Sequence, residues 1–166
     1  MIIRQMTVSD IKEASQIAAS SMLQPWSMAA FAAELKNAQA LLLVCEADDA
    51  ISAADDFIRT ASGGEEPSDS RISGYISLLL TPDDAELTGI AVKEAARRQG
   101  MAGALLKEAR SILRKRGIGS IVLEVRASNT TAVSFYEKHG FTCIGVRRGL
   151  YDFPKEDALV MTDMKE

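Results

Sequence analysis

The spacing of apolar residues changes several times along the chain and predicts an α/β fold. Apolar positions three and four residues apart give a helix one buried stripe, and they predict helices over residues 8–20, 28–35, 102–113 and 130–138. Shorter apolar runs predict strands near residues 2–6, 40–46, 72–80, 86–92, 120–126, 141–147 and 158–164. The residues between the last two strands, with Tyr151 and Pro154, are expected to form an irregular loop.

Residues at the ends of these elements strengthen the prediction. The run Thr7–Asp10 resembles a capping box with aspartate in place of glutamate, and Ser27 can cap the second helix. Either Ser128 or Asn129 can cap the short helix near residue 130, and Gly140 follows its last turn as a C′ glycine does. The helix boundaries are therefore supported by capping chemistry as well as by spacing.

The length of 166 residues is that of one ordinary domain, which we expect to cover the whole chain. No uncharged apolar run has the length of a membrane span, and polar residues interrupt the N-terminal region where a signal peptide would lie. We therefore expect a cytoplasmic protein that has no membrane partner.

The formal net charge of −4 has a local source. Residues 48–72 hold seven acidic and two basic residues, so the rest of the chain, with 16 acidic and 17 basic residues, is nearly neutral. Such a balance gives no sign of nucleic-acid binding. The acidic segment predicts a flexible insertion, which is either a solvated loop or an acidic rim that attracts a basic substrate.

The two cysteines and the one histidine do not point to a metal site. Cys45 and Cys143 stand alone in apolar runs without metal-ligand spacing, so we expect both to be buried as small hydrophobic residues. His139 is the only histidine, which excludes a histidine-rich metal centre, and its position near a helix C-terminus favours a structural role.

A basic, glycine-containing turn connects the strand near 86–92 with the longest predicted helix. Arg97 and Arg98 precede Gly100, and the helix then opens near Met101 and Gly103. Because a helix N-terminus presents unpaired N–H groups, this turn suits a phosphorylated ligand. The alternative is a loose helix start with solvated arginines.

Glu124 is a carboxylate inside a predicted strand that is hydrophobic on both faces, and we expect such a strand to be buried on both. A buried carboxylate is costly unless it is paired, so two interpretations are open. Either Arg126 or Arg147 forms an ion pair with it, or its pKa is raised for proton transfer.

Several motifs together resemble the GNAT acetyltransferases, and within them the branch of RimI-type ribosomal-protein alanine N-acetyltransferases. The turn resembles the Arg/Gln-x-x-Gly-x-Gly/Ala signature for the pyrophosphate of acetyl-CoA at Arg97, Gly100 and Ala102. The similarity to the RimI-type branch covers nearly all of the chain outside residues 48–72 and is carried by residues 25–27, 123–129, 132–141, 145–151 and 157–161. The resemblance implies a GNAT fold, in which about four helices flank a mixed sheet of about six to seven strands.

The resemblance also implies roles for individual residues. Glu124 matches the general base, and Tyr136 matches the general acid that protonates the departing CoA thiolate, although Tyr136 could instead only pack on its helix. Trp26 and Tyr151 match the substrate wall, but Trp26 could simply be a hydrophobic staple. The implied contacts with acetyl-CoA come from Ile90, Ala91, Val92, Arg97, Arg98, Gln99, Gly100, Met101, Ala102, Gly103 and Asn129.

The implied reaction is acetyl transfer from acetyl-CoA to a protein N-terminus, with the N-terminal alanine of ribosomal small-subunit protein 18 as the expected acceptor. Other protein N-termini, lysine or a small amine are alternative acceptors, and a CoA-binding module without turnover is the non-enzymatic alternative. The loop with Arg147, Arg148 and Tyr151 is expected to help decide the acceptor. The expected partners are acetyl-CoA and the ribosomal-protein segment, without a metal or nucleic acid, and the protein is expected to be a monomer or weak dimer.

Overall fold

A computed structural model describes residues 1–46 and 72–164, and its described part has four α-helices and seven strands. The helices are α1 (Ile11–Ser21), α2 (Met28–Leu35), α3 (Met101–Lys115) and α4 (Thr130–Lys138), with 3₁₀ turns at Val8–Asp10 and Glu94–Ala96. The strands are β1 (Ile2–Gln5), β2 (Ala40–Glu46), β3 (Ile72–Leu80), β4 (Ala85–Val92), β5 (Ile121–Arg126), β6 (Thr142–Asp152) and β7 (Lys155–Thr162).

The seven described strands form one mixed sheet in the order β1-β2-β3-β4-β5-β7-β6. β4 and β5 run parallel, whereas β1 and β2, β5 and β7, and β6 and β7 run antiparallel. The predicted fold class and the predicted numbers of strands and helices are therefore confirmed.

The capping signals act as predicted. The Asp10 carboxylate accepts a hydrogen bond from the Thr7 N–H at 2.7 Å, although the first predicted helix opens with a 3₁₀ turn before α1. Ser27 accepts from the Ala30 N–H at 3.2 Å, and Asn129, rather than Ser128, accepts from the Ala132 N–H at 3.1 Å. Each acceptor satisfies a donor that the helix start leaves without a partner.

The chain divides into two compact units, and the first contains Met1–Ser77 and Gly89–Arg110. Its core includes three aromatic rings in edge-to-face contact. The centre of the Phe31 ring lies 5.4 Å from that of Trp26 and 5.1 Å from that of Tyr75. Trp26 precedes the cap Ser27 and contacts the fourth helical residue, which is the geometry of a hydrophobic staple. The structural interpretation of Trp26 is thus confirmed.

Two buried carboxylates also belong to the first unit. Asp10 pairs with Arg4 at 2.7 Å, and the hydrogen bond to Asp10 is the main reason why the pKa of Arg4 is raised. Glu13 pairs with Lys93 and accepts a hydrogen bond from the Ile72 N–H at 3.1 Å. Since both carboxylates have partners, their burial does not leave an isolated charge.

The second unit contains Leu78–Thr88 and Ser111–Glu166. Residues along β5 alternate between buried and half-buried, so the strand has one face in the core and one face that solvent reaches. The expectation that β5 is buried on both faces is therefore wrong. In the described part, β4 pairs with β5 over Ala85–Leu87 and Ile121–Leu123, and on its other side β5 pairs with β7 from Val122 to Arg126.

The last hairpin differs from the sequence prediction. Tyr151 lies in β6, where it pairs with Glu156, and not in an irregular loop. The strand continues because a register shift near Gly149, whose φ is +62°, absorbs the irregularity. Cys143 is exposed on this edge strand, which corrects its predicted burial, while Cys45 is buried as expected and its burial raises its pKa to about 11.

Two expectations are not decided by the fold. The acidic insertion at 48–72 lies outside the described residues except for Ile72, and one domain over the whole chain stays a prediction. Among the helices of residues 1–46 and 72–164, none is long and apolar enough to cross a membrane.

Candidate active site

The turn before α3 has a strained backbone. Arg98 has a φ of +61°, a left-handed conformation that costs a residue other than glycine about 1 kcal/mol or more, and Gly100 has a φ of +81°. The helix then begins at Met101, with the Ala104 N–H bonded to the Gly100 carbonyl at 2.9 Å. The N–H groups of residues 101–103 precede that bond, so helix geometry gives them no partner within α3.

Side chains of the turn hold its shape. Arg97 donates to the Val92 carbonyl and to the Ser21 hydroxyl, both at 3.2 Å, and Gln99 donates to the Ala95 carbonyl at 3.2 Å. Arg98, by contrast, is exposed and has no hydrogen-bond partner among the described residues. Of the two predicted arginines, Arg97 therefore has a structural role, and Arg98 is the one whose charge can meet an anion.

The strand that leads to this turn is tightly packed. Ala91 and Val92 are buried, and Ile90 is half-buried. A Cβ atom placed on Gly74 would lie 2.8 Å from the Ala91 carbonyl oxygen, so only glycine fits at that position. A Cβ atom placed on Gly89, by contrast, would meet the side chains of Tyr75 and Met22 at ordinary contact distances of 3.5 and 3.6 Å.

In the second unit, Glu124 lies on the half-buried face of β5. Its side chain is 27% exposed, and its Oε1 accepts a hydrogen bond from Arg147 Nη1 at 2.5 Å. This bond is the main reason why the pKa of Arg147 is raised. The ion-pair interpretation is therefore confirmed, with Arg147 as the partner and not Arg126.

Tyr136 lies on α4 and is buried against aromatic neighbours. Its ring makes edge contacts with Phe135 at 5.4 Å and with Phe141 at 5.5 Å, so the packing interpretation holds for the ring. Burial raises the pKa of Tyr136 to about 12, with a smaller contribution from Tyr151. The hydroxyl has no hydrogen-bond partner among the described residues, which leaves its proton available to a ligand.

Five side chains form a charged face on β5, β6 and β7. Glu124 and Arg126 are two residues apart on β5 and therefore share a face. Arg126 and Arg147 both pair with Ala158 of β7, and Tyr151 pairs with Glu156. The register thus places the five on one side of the sheet. The charged face consists of Glu124, Arg126, Arg147, Tyr151 and Glu156.

Tyr151 connects the predicted catalytic residues electrostatically. Burial is the first reason why its pKa is raised; the charge of Glu124 raises it further, and that of Arg126 lowers it. Tyr151 in turn contributes to the raised pKa of Tyr136. Within the second unit, Tyr151 therefore interacts electrostatically both with Glu124 and with Tyr136.

Comparisons with known proteins identify the family to which this chain belongs. The profile of the Acetyltransferase (GNAT) family matches residues 11–141. The chain belongs to the GNAT acetyltransferase family. It is 31% identical, over 96% of its length and 92% of the relative, to a Bacillus subtilis (strain 168) protein with the provisional name [ribosomal protein bS18]-alanine N-acetyltransferase.

Two Escherichia coli comparisons point to the same branch of the GNAT acetyltransferases. The [ribosomal protein bS18]-alanine N-acetyltransferase of strain K12 is 43% identical over 55% of this chain and 63% of its own length. The crystal structure of the Escherichia coli ribosomal-protein-S18-alanine N-acetyltransferase superimposes with a TM-score of 0.76 and 27% identity, over 99% of this chain and 96% of that one.

The predicted site residues of this GNAT acetyltransferase divide between its two units. The predicted acetyl-CoA contacts of residues 90–92 and 97–103 and the predicted acceptor contact Trp26 belong to the first. Glu124, Asn129, Tyr136 and Tyr151 belong to the second. His139 has the expected structural place, because its Nδ1 lies 2.7 Å from the Phe135 carbonyl oxygen. In the described residues, no group of three or more His, Cys, Asp or Glu side chains could hold a metal ion.

Sequence reasoning missed the contribution of Arg126 and Glu156. Arg126 pairs with Glu156 at 3.3 Å and lies 4.0 Å from the centre of the Tyr151 ring. Hydrogen bonds from Ser128, one of them from its N–H at 2.5 Å, are the main reason why the pKa of Glu156 is lowered. The available signal was Arg126 itself, a charged residue at the end of the apolar run that forms β5.

Proposed function

We propose that this GNAT acetyltransferase transfers the acetyl group of acetyl-CoA to the N-terminal α-amine of a protein, namely the N-terminal alanine of ribosomal protein bS18. The names of its Bacillus subtilis and Escherichia coli relatives support the acceptor. The observation that supports the chemistry is that the Glu124 carboxylate lies on the half-buried face of β5, where the exposed side chain of Arg147 pairs with it.

The first unit supplies the proposed donor site. The N–H groups at the start of α3 and the charge of Arg98 are suited to the diphosphate of acetyl-CoA, because both attract an anion. The backbone of Ile90–Val92 would hold the pantetheine and polarise the acetyl carbonyl. The contact of Asn129 with acetyl-CoA stays a prediction from the sequence. Arg97 supports this site by fixing the turn to α1 and β4.

The second unit supplies the proposed proton transfers. The neutral amine attacks the thioester carbonyl carbon, a C–N bond forms, and the C–S bond breaks. Glu124 accepts the proton that the amine loses, directly or through water, and Tyr136 gives its hydroxyl proton to the departing thiolate. The raised pKa of Tyr136, about 12, keeps this donor protonated at neutral pH.

The ion pair between Glu124 and Arg147 is compatible with the role of a base. The Arg147 side chain is 60% exposed, and ion pairs at such positions are weak because solvent screens them. An acceptor amine can therefore take the place of the guanidinium at Glu124 at little cost. In the absence of an acceptor, Arg147 keeps the carboxylate in one orientation.

An α-amine suits this machinery better than a lysine does. About a third of an α-amine is neutral near pH 7.5, against roughly a thousandth of a lysine side chain. A single carboxylate then has to deprotonate a smaller fraction of the acceptor molecules before they can attack. This difference, together with the names of the relatives, favours a protein N-terminus over lysine as the acceptor.

A peptide panel tests the proposal. The protein is incubated with acetyl-CoA and a bS18 N-terminal peptide, the same peptide with a blocked α-amine, a peptide that begins with another residue, and a polyamine. Mass spectrometry then locates the acetyl group. We expect acetylation at the free N-terminal alanine alone. Acetylation of lysine in the blocked peptide, or of the polyamine, without reaction at the free terminus would contradict the proposed acceptor.

A further inference from the structure

Both terminal nitrogens of the Arg126 guanidinium bind groups of one hairpin. It donates to the carbonyls of Phe153 and Pro154 at 3.2 and 3.1 Å and pairs with Glu156 at 3.3 Å. The same guanidinium carbon lies 4.0 Å from the centre of the Tyr151 ring, a cation–π contact. The side chain is only 11% exposed, so these contacts replace most of its contacts with water.

These contacts hold Tyr151, the residue of the charged face that interacts electrostatically with both Glu124 and Tyr136. The two carbonyls belong to the turn between β6 and β7, and Tyr151 lies just before that turn. Glu156, the other partner of Arg126, also accepts from the Ser128 N–H next to the start of α4. Arg126 therefore joins the hairpin turn, the Tyr151 ring and the entry to the helix that carries Tyr136.

We propose that Arg126 is a positioning residue for the acceptor: it holds Tyr151 and the β6–β7 turn in the arrangement that directs an incoming peptide amine to Glu124. The proposal rests on the proposed function, since it assumes a peptide acceptor. Arg126 touches no reacting atom in this account. It acts through Tyr151 and the two carbonyls that it binds.

The chemistry of the contacts requires arginine in particular. A planar fork can donate to two carbonyls and a carboxylate while its face lies on an aromatic ring. Lysine can keep the charge opposite Glu156, but it cannot reproduce the fork or the stacking. We therefore expect Arg126→Lys to preserve the fold and to lose most of the positioning.

The kinetic test separates the two substrates. For Arg126→Met in the full chain, we expect the KM for the bS18 peptide to rise roughly tenfold, the KM for acetyl-CoA to stay within about twofold, and kcat to change less than the peptide KM. Arg126→Lys should give an intermediate peptide KM. Arg4→Lys is the matched control, because Arg4 also binds two carboxylates but lies in the first unit, and it should leave the peptide KM unchanged.

A second measurement does not depend on acetyl transfer. The three tyrosines are labelled at the ring, the NMR signal of Tyr151 is assigned with Tyr151→Phe, and its phenol is titrated. Loss of the cation that lowers the pKa of Tyr151 should move its midpoint upward in Arg126→Met, while the ring signal of Tyr75, which lies in the first unit, stays unchanged over the same pH range.

The outcomes distinguish the two proposals. If the wild-type protein acetylates no peptide, the proposed function is wrong, and the role of Arg126 in acceptor positioning falls with it, whatever the titration shows about Tyr151. If the wild-type protein is active and Arg126→Met has an unchanged peptide KM, or raises both KM values equally, the inference about Arg126 is wrong and the proposed function stands. An unmoved Tyr151 midpoint would also contradict the inference.

Discussion

The turn at Arg97–Gly103 and the charged face of β5–β7 are stabilised in different ways. The turn is local in sequence, and its shape comes from left-handed backbone at Arg98 and Gly100 and from short-range hydrogen bonds. The charged face joins residues far apart in the sequence through side chains, as Arg147 does with Glu124. The turn offers backbone donors, whereas the face offers groups that can exchange protons.

This difference determines which substitutions should matter in each region. Backbone N–H groups survive most changes of side chain, so the turn should respond mainly to changes in backbone conformation. The charged face depends on individual carboxylate, guanidinium and phenol groups, so single side-chain changes should act on catalysis there. The predictions below test that contrast.

The largest expected effect is at Glu124. Glu124→Gln removes the proposed base and should lower kcat/KM for the peptide by about 10²–10³, a typical contribution of general-base catalysis. The unfolding free energy should change little, because the lost partner Arg147 is exposed and solvent screens the ion pair. Thermal unfolding and peptide acetylation rates check both parts.

The control for that variant is Glu86→Gln. Glu86 is an exposed carboxylate on β4 in the same unit, and its charge also contributes to the raised pKa of Arg147. It should retain wild-type turnover. Equal losses in the two variants would mean that negative charge in general, and not the carboxylate of Glu124, supports the reaction.

Tyr136→Phe should have the next largest effect. It removes the hydroxyl and keeps the ring that packs on Phe135 and Phe141. We expect kcat to fall by about 10–10²-fold, with the affinity for acetyl-CoA preserved, since the missing group acts on the leaving thiolate. An unchanged kcat in this variant would mean that Tyr136 only packs against its neighbours and takes no part in the reaction.

Gly74→Ala tests the strand that leads to the turn. Its new Cβ would lie 2.8 Å from the Ala91 carbonyl oxygen, so the backbone must shift, and we expect a loss of about 1–3 kcal/mol in unfolding free energy. Gly89→Ala is the control, because its Cβ meets side chains at 3.5 Å or more. Denaturant titration compares the two, and equal stability would contradict the packing described for Ala91.

Gly100→Ala tests the backbone of the turn itself. A Cβ there meets no atom within 4 Å, so the cost comes from the φ of +81° and should be about 1 kcal/mol. The KM for acetyl-CoA should rise while that for the peptide stays unchanged. Gly119→Ala, which has equally open surroundings and no such φ, should be neutral.

The smallest effect concerns alkaline pH. Burial raises the pKa of Tyr136 to about 12 and also raises that of Tyr75, so the folded state binds these protons more tightly than the unfolded state does. Their contribution to stability is complete below pH 10 and is lost as the pH rises from about 10 towards 12. Tyr136→Phe should therefore weaken the fall in unfolding free energy over that range, and an identical slope would contradict the burial argument.

The sequence predicted the features that depend on neighbouring residues. Strand and helix boundaries, the caps at Ser27 and Asn129, and the glycine-containing turn all follow from local spacing and capping chemistry. Predictions from the sequence were wrong where the burial of a residue depends on the position of its strand in the sheet. Cys143 was expected in the core because its neighbours are apolar, but β6 is the edge strand and exposes it.

The partners on the charged face show the same limit. Arg126 and Arg147 were both possible partners for Glu124, and sequence distance could not choose between them. The register of β5, β6 and β7 decides, because it sets Arg126 beside Glu156 and the hairpin turn and leaves Arg147 for Glu124. Pairing that depends on register across three strands cannot be obtained from local patterns.

The central claim is that the turn binds the donor while Glu124 acts in the chemistry. Isothermal titration calorimetry of acetyl-CoA with the wild-type protein and with Glu124→Gln tests it most directly. The account predicts one acetyl-CoA per chain and equal Kd values for the two proteins, beside the loss of turnover in the variant. No binding heat with the wild-type protein, or a Kd that weakens tenfold in Glu124→Gln, would contradict it.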